Sequence, residues 1–178
     1  ITFIIGLVLY FSFRKKKKDK IKIREAFVLT VLSWIIIALF SSLPFIFSSS
    51  DLNFTDAFFE SISGITTTGA TVITNLDNLS EGILIWRSFL QWFGGIGIIV
   101  LALAILPTLQ IGGMQLLHME HDDPYEKTIP KVGQFVFEIF LIYLLLTFIC
   151  STCYFLAGMP GFDAVSHAMT TIATGGFS

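Results

Sequence analysis

The chain has 178 residues, of which 54% are hydrophobic and only 13% charged, with a formal net charge of −2. Soluble domains usually carry about 25% charged residues, and here the apolar residues gather in long blocks rather than periodic stripes. That pattern excludes an ordinary water-soluble enzyme or binding module and reads as lipid-facing helices.

Ile1 to Phe13 is an apolar run of about 20 Å as helix, short of a bilayer core of about 30 Å. It is expected to be the end of a preceding transmembrane helix, and the chain a piece of a longer protein. Eight of the eleven basic residues follow, between Arg14 and Arg24. With a hydrophobic helix expected on each side, residues 14–25 read as a cytoplasmic loop under the positive-inside rule, not as a nucleic-acid arm.

Three full spans are expected. Ala26 to Phe47 has no charged residue and makes about 33 Å of helix. Ile83 to Leu106 contains Arg87, and Val132 to Leu156 contains Glu138. Both charges fall near span ends, within reach of headgroups, although an intramembrane charge is functional by default if deeply buried. Cys150 and Cys153 read as soft packing material in an apolar block, not as a redox or metal pair. Gly94, Gly95 and Gly97 read as close packing against the short helix that precedes this span rather than as a hinge.

Between the first two spans, Asp56 to Ile65 is a short, half-apolar helix of about 15 Å, half a bilayer. The hydroxyl-rich segment Thr66-Thr67-Thr68-Gly69-Ala70-Thr71 follows it. The same arrangement returns after the third span, where Phe162 to Ile172 leads into Ala173-Thr174-Gly175-Gly176-Phe177-Ser178. A shift of 107 places Asp56 on Asp163, Ala57 on Ala164, Ile65 on Ile172, Thr67 on Thr174 and Gly69 on Gly176. Ser63 then faces Thr170, Glu60 faces His167 and Thr71 faces Ser178. An internal repeat of span, short helix and glycine-centred loop is the strongest signal in the chain.

With residues 14–24 inside, alternation of the spans puts Lys127 and Lys131 inside as well and opens both glycine loops to the outer face. The expected organisation is a first helix–loop–helix repeat at 26–107, a cytoplasmic connection at 108–131 and an incomplete second repeat at 132–178. The fold class is an all-α membrane protein.

Irregular backbone at membrane depth survives only where it is buried in protein or lines an aqueous path. Glycine lets the chain turn its carbonyls toward an axis, and rings of carbonyls replace the water around a potassium ion. Each short helix would direct its partly negative C-terminal end at the membrane centre, and Asp56 and Asp163 are expected to act as N-caps. The same physics serves sodium or ammonium, so the residues alone leave the ion open.

His118, Glu120, His121, Asp122 and Asp123 have metal-ligand chemistry but read as a solvated polar loop. His167 reads as a packing residue. An intramembrane enzyme lacks a catalytic constellation in this chain, and a non-conducting scaffold leaves the threonine–glycine loops without a role.

Phe54 to Thr71, with Thr-Asp-Ala-Phe-Phe-Glu-Ser and Thr-Thr-Thr-Gly-Ala-Thr, resembles the first pore loop of the TrkH family, the membrane subunits of bacterial Trk potassium uptake systems. Gln91 to Leu101, Gly112-Gly113-Met114-Gln115-Leu116 and Thr171 to Ser178 are similar to that family's following helix, cytoplasmic exit and second pore loop. The resemblance implies four helix–pore loop–helix repeats around one pore, of which this chain holds the first and part of the second. It implies a potassium filter lined by the carbonyls of Thr67, Thr68, Gly69, Thr174, Gly175 and Gly176, with potassium as cargo and no cofactor. It further implies a multi-pass protein of the bacterial cytoplasmic membrane, a homodimer and a cytosolic nucleotide-binding partner resembling TrkA.

Overall fold

A computed structural model describes residue 6 and residues 23–48, 52–74, 76, 79–109 and 132–178. The basic run before Ile23 and the cluster from His118 to Asp123 lie outside the described residues, as does most of the connection at 108–131. The described elements are α1 (Ile23–Ser41), α2 (Leu43–Ile46), α3 (Phe54–Ile65), α4 (Glu81–Leu109), α5 (Val132–Leu156) and α6 (Gly161–Ile172). No strand occurs among the described residues.

Three stretches are long and apolar enough to cross a membrane: Phe27–Ile46, Glu81–Leu101 and Val136–Leu156. The first is continued through a break at Ser42. Pro44 has no N–H to give to the preceding turn, and the Ser42 hydroxyl donates to the Leu39 carbonyl at 2.7 Å. The indole N–H of Trp86 donates to the Ser41 carbonyl at 3.1 Å. These two bonds occupy carbonyls at the break, so α2 follows α1 without leaving them bare in hydrocarbon.

Burial separates two kinds of helix. α1 and α5 present large apolar side chains outward, with Leu29 60% and Phe148 67% exposed, as lipid-facing helices do. The 12-residue helices α3 and α6 are the reverse: Ala57, Glu60, Ser61, Ser63, Gly64 and Ile65 of α3 are buried, as are Ala164, Ser166, Ala168 and Thr170 of α6. Twelve residues rise about 18 Å, so each reaches only part-way through a bilayer core. α4 lies between them, packing on α3, α6 and α5, while α1 covers α3 and α5 covers α6.

The glycine pair of α4 sets these distances. A Cβ at Gly94 would collide with the carbonyl group of Ile65 at the end of α3, and one at Gly95 would lie 2.7 Å from the Tyr143 hydroxyl and 3.2 Å from the Ala173 Cα. Two adjacent glycines thus let one helix touch the ends of both short helices. Close packing, the expected use of these glycines, is what the structure shows at Gly94 and Gly95; a Cβ on Gly97 would meet only the Trp34 ring of α1, at an ordinary 3.9 Å. The contact is braced by Trp92, whose indole N–H donates to Thr147 at 2.9 Å, and by the Tyr143 hydroxyl, which donates to the Trp92 carbonyl at 3.1 Å.

Gly94→Ala is therefore expected to destabilise the folded protein by about 1–3 kcal/mol, the usual result of overpacking. Gly82→Ala, where nothing lies within 4 Å of the new methyl, is expected to be neutral or stabilising by at most about 1 kcal/mol. Thermal denaturation of the detergent-solubilised protein checks the contrast, and equal midpoints for the two variants would contradict the packing argument.

Candidate functional site

Each short helix ends in the same way. Beyond α3, the Thr67 N–H donates to the Gly64 carbonyl at 3.0 Å and the Thr68 N–H to the Ser63 carbonyl at 3.0 Å. Beyond α6, Thr174 N–H reaches the Thr171 carbonyl at 2.9 Å and Gly175 N–H the Thr170 carbonyl at 3.2 Å. This double closure is the Schellman arrangement, which places one residue in the left-handed region, usually a glycine. Here it is a threonine both times, Thr67 and Thr174, each at φ 58°. A β-branched residue at positive φ is a genuine outlier costing about 1–3 kcal/mol, so the surroundings hold both loops against a local preference.

Two residues on, Gly69 (φ 76°) and Gly176 (φ 60°) turn the chain again. The two loops meet there. A Cβ on Gly69 would strike the Gly175 carbonyl oxygen, and a Cβ on Gly175 would lie 2.9 Å from the Thr67 carbonyl oxygen and collide with the Gln91 amide. The amides of the loop starts are thus folded back onto their own helices, while carbonyls of the two loops lie at the junction between them. Several hydroxyls are used within the protein: Thr66 donates to Ile62 at 2.7 Å and pairs with Thr68 at 2.8 Å, and Ser63 donates to the Ala70 carbonyl at 2.5 Å.

Of the expected site residues, the structure brings Thr67, Thr68, Gly69, Thr174, Gly175 and Gly176 into these two adjoining loops. The two aspartates are a correction. The N-cap of α3 is Asn53, whose side chain accepts the Asp56 N–H at 2.9 Å, and that of α6 is Pro160, with φ −53°. α3 starts two residues earlier than expected and α6 one, because an amide oxygen in one case and a proline ring in the other open the helix first. Asp56 and Asp163 instead occupy the third helical position, where a carboxylate still complements the helix dipole.

A second correction concerns Arg87, expected near the headgroups. It is 2% exposed and forms an ion pair with Glu60, which is wholly buried. The other carboxylate oxygen of Glu60 accepts from the Thr71 hydroxyl at 2.5 Å, the Val72 N–H at 2.7 Å and the Ile73 N–H at 3.2 Å. The guanidinium also donates to the Phe177 carbonyl at 3.2 Å and stacks on the Phe177 ring, 3.8 Å from its centroid. In the second repeat His167 takes the place of Glu60 and bonds Ser178 at 2.6 Å, just as Glu60 bonds Thr71. Opposite charges 27 positions apart inside apolar surroundings are the signal in the sequence that points to this pair.

Among the described residues no group of three His, Cys, Asp or Glu side chains is placed to hold a metal ion. Cys150 and Cys153 are free thiols, half-buried and exposed respectively. Glu138 is exposed on α5.

Over its full length, residues 1–178, the sequence matches the TrkH family, described as "Cation transport protein". The chain belongs to the TrkH family. It is 49% identical over 181 residues to the Trk system potassium uptake proteins TrkH of Salmonella typhimurium and of Escherichia coli K12, in each case across 100% of this chain and 37% of the relative. The crystal structure of the potassium transporter TrkH from Vibrio parahaemolyticus superposes with a TM-score of 0.78 at 47% identity, over 92% of this chain and 32% of that one. The chain thus spans about 37% of the length of the curated relatives it matches. It is an all-α membrane protein, as its composition predicts, and its TrkH-type short helices and loops are the part built least like an ordinary helical bundle.

Removing one partner from a buried ion pair leaves an uncompensated charge and typically costs about 3–5 kcal/mol. Glu60→Ala and Arg87→Met are each expected to lower the stability of the solubilised TrkH-family protein by that order. The double variant should lose at least about 1 kcal/mol less than the two losses added together. Strict additivity in denaturation measurements would show that the two side chains do not act as a pair.

Proposed function

We propose that the full-length protein takes up potassium across the bacterial cytoplasmic membrane, with residues 26–107 and 132–178 as its first repeat and part of its second. The observation that carries this reading is the meeting of the two loops at Gly69 and Gly175. Two half-membrane helices end against each other with their amides turned back and carbonyls at the junction. A carbonyl left bare in hydrocarbon costs several kcal/mol, whereas a ring of carbonyls facing a cation replaces its hydration shell. The C-terminal dipoles of α3 and α6 add partial negative charge at the same depth.

In this reading the carbonyls of Thr67, Thr68, Gly69, Thr174, Gly175 and Gly176 form part of a potassium filter, completed by later repeats of the longer protein. Thr67 and Thr174 are the strained turns that aim those carbonyls. Both loops open outward, and the basic stretch from Arg14 to Arg24 and the connection at 108–131 lie in the cytoplasm. Transport is passive coordination with no bond made or broken. Uptake by Trk systems is the named property of the relatives at 49% identity, and it supports potassium over sodium or ammonium. A homodimer working with a cytosolic, nucleotide-binding subunit resembling TrkA completes the proposal.

The test uses the full-length protein in cells lacking other potassium uptake. Gly69→Ala places a methyl against the Gly175 carbonyl at a positive φ, a misfit of about 1–3 kcal/mol at the junction. It should cut potassium-supported growth and rubidium uptake by about tenfold or more while the protein still reaches the membrane. Unchanged uptake would remove the filter assignment.

A further inference from the structure

Phe177 is held in a way that no other residue of the two loops matches among the described bonds. The loop from Thr174 to Gly176 is tied to its own short helix by the backbone closures already described. Ser178 is tied to the same helix through His167 and Thr170, at 2.6 and 2.8 Å. The peptide groups on either side of the Phe177 Cα are instead held by the return helix of the first repeat. Its N–H donates to the Gln91 side-chain oxygen at 3.0 Å, and its carbonyl accepts from Arg87 at 3.2 Å. Arg87 and Gln91 are four residues apart on α4, one above the other on the same face, and both are buried.

The same guanidinium is paired with Glu60, whose second oxygen holds Thr71, Val72 and Ile73 just beyond the first glycine loop. A continuous polar path therefore runs from the first loop's backbone through Glu60 and Arg87 to the second loop's backbone. The Gln91 amide closes the gap behind it, its nitrogen standing where a side chain on Gly175 would go and 3.6 Å from the corresponding place on Gly69. That nitrogen has no partner among the described residues, so Gln91 stands at this junction with an unpaired buried donor, a group that ordinarily costs about 1–3 kcal/mol.

We infer that Arg87 and Gln91 are positioning residues that set the second loop's backbone against the first, so that ion discrimination depends on both. Arginine suits this role because its planar fork donates in two fixed directions at once, to Glu60 and to Phe177, while its face stacks on the Phe177 ring. Lysine keeps the charge but offers a single point. Spacing between carbonyls decides which cation they replace water around. A loop free to shift would still conduct, with weaker preference.

This inference rests on the proposed filter, and the experiment separates the two. In the full-length protein, Arg87→Lys, Gln91→Met and their combination are compared with the unmodified protein for membrane amount, rubidium uptake and inhibition of that uptake by sodium. Gly82→Ala, where nothing lies within 4 Å of the new methyl, serves as a control on the same helix that alters neither the amount of protein nor discrimination. Arg87→Lys and Gln91→Met should each raise the apparent KM for potassium relative to the inhibition constant for sodium by about tenfold, the size of one lost buried hydrogen bond. The combination should be little worse than the larger single effect, since both act on one residue's backbone.

If Arg87→Lys fails to accumulate, Gln91→Met, neutral and similar in size, decides alone. Normal discrimination per molecule in Gln91→Met overturns the inference while leaving the filter standing. An unmodified protein with no potassium-dependent uptake overturns the proposed function, and this inference with it.

Discussion

Peptide groups that leave helical geometry in the interior of a helical membrane protein must find partners, and the arrangement of this chain follows from how residues 66–74 and 173–178 meet that demand. Their N–H groups turn back to the last carbonyls of α3 and α6. Several threonine and serine hydroxyls bind neighbouring backbone or one another. Further along, Glu60 takes up the Val72 and Ile73 N–H groups, and Gln91 and Arg87 take up the N–H and carbonyl of Phe177. Everything outside this layer is conventional: α1 and α5 are apolar covers, and α4 is a small-residue wedge that lets the short helices approach.

The two copies of the motif share their backbone and differ in their chemistry. Thr67 and Thr174 have the same torsion, and the closing hydrogen bonds repeat residue for residue. Behind the loops the symmetry ends. The first copy uses a carboxylate balanced by an arginine, while the second uses an imidazole bonded to a serine. A carboxylate with four acceptor positions binds two consecutive amides, a hydroxyl and a cation together. The second loop borrows its remaining support from the first repeat, through Arg87 and Gln91.

Much of this was legible in the residues. The spans, the half-length helices and the 107-residue offset follow from hydropathy and from the spacing of aspartate, threonine and glycine. Val132–Leu156 has the expected bounds. What sequence reasoning missed was decided by tertiary neighbours. Asp56 looks like a cap until Asn53 is seen accepting its N–H. Arg87 looks interfacial because it lies six residues into α4, and only the packing of α3 against that helix reveals the carboxylate that lets it stay buried. Thr67 and Thr174 carry no local hint of a left-handed torsion, since threonine disfavours it; the surrounding contacts impose it.

The spacing of Arg87's partners also has a consequence for biosynthesis. Glu60 precedes it by 27 residues and is already made when α4 emerges from the ribosome, whereas Phe177 follows 90 residues later. A lone guanidinium entering the bilayer core costs about 2.5–3.5 kcal/mol on insertion scales. With its counter-ion in the same hairpin, the first repeat can be integrated as a nearly neutral unit before the second exists. The guanidinium nitrogen that bonds the Phe177 carbonyl gains that partner only once the second hairpin is made.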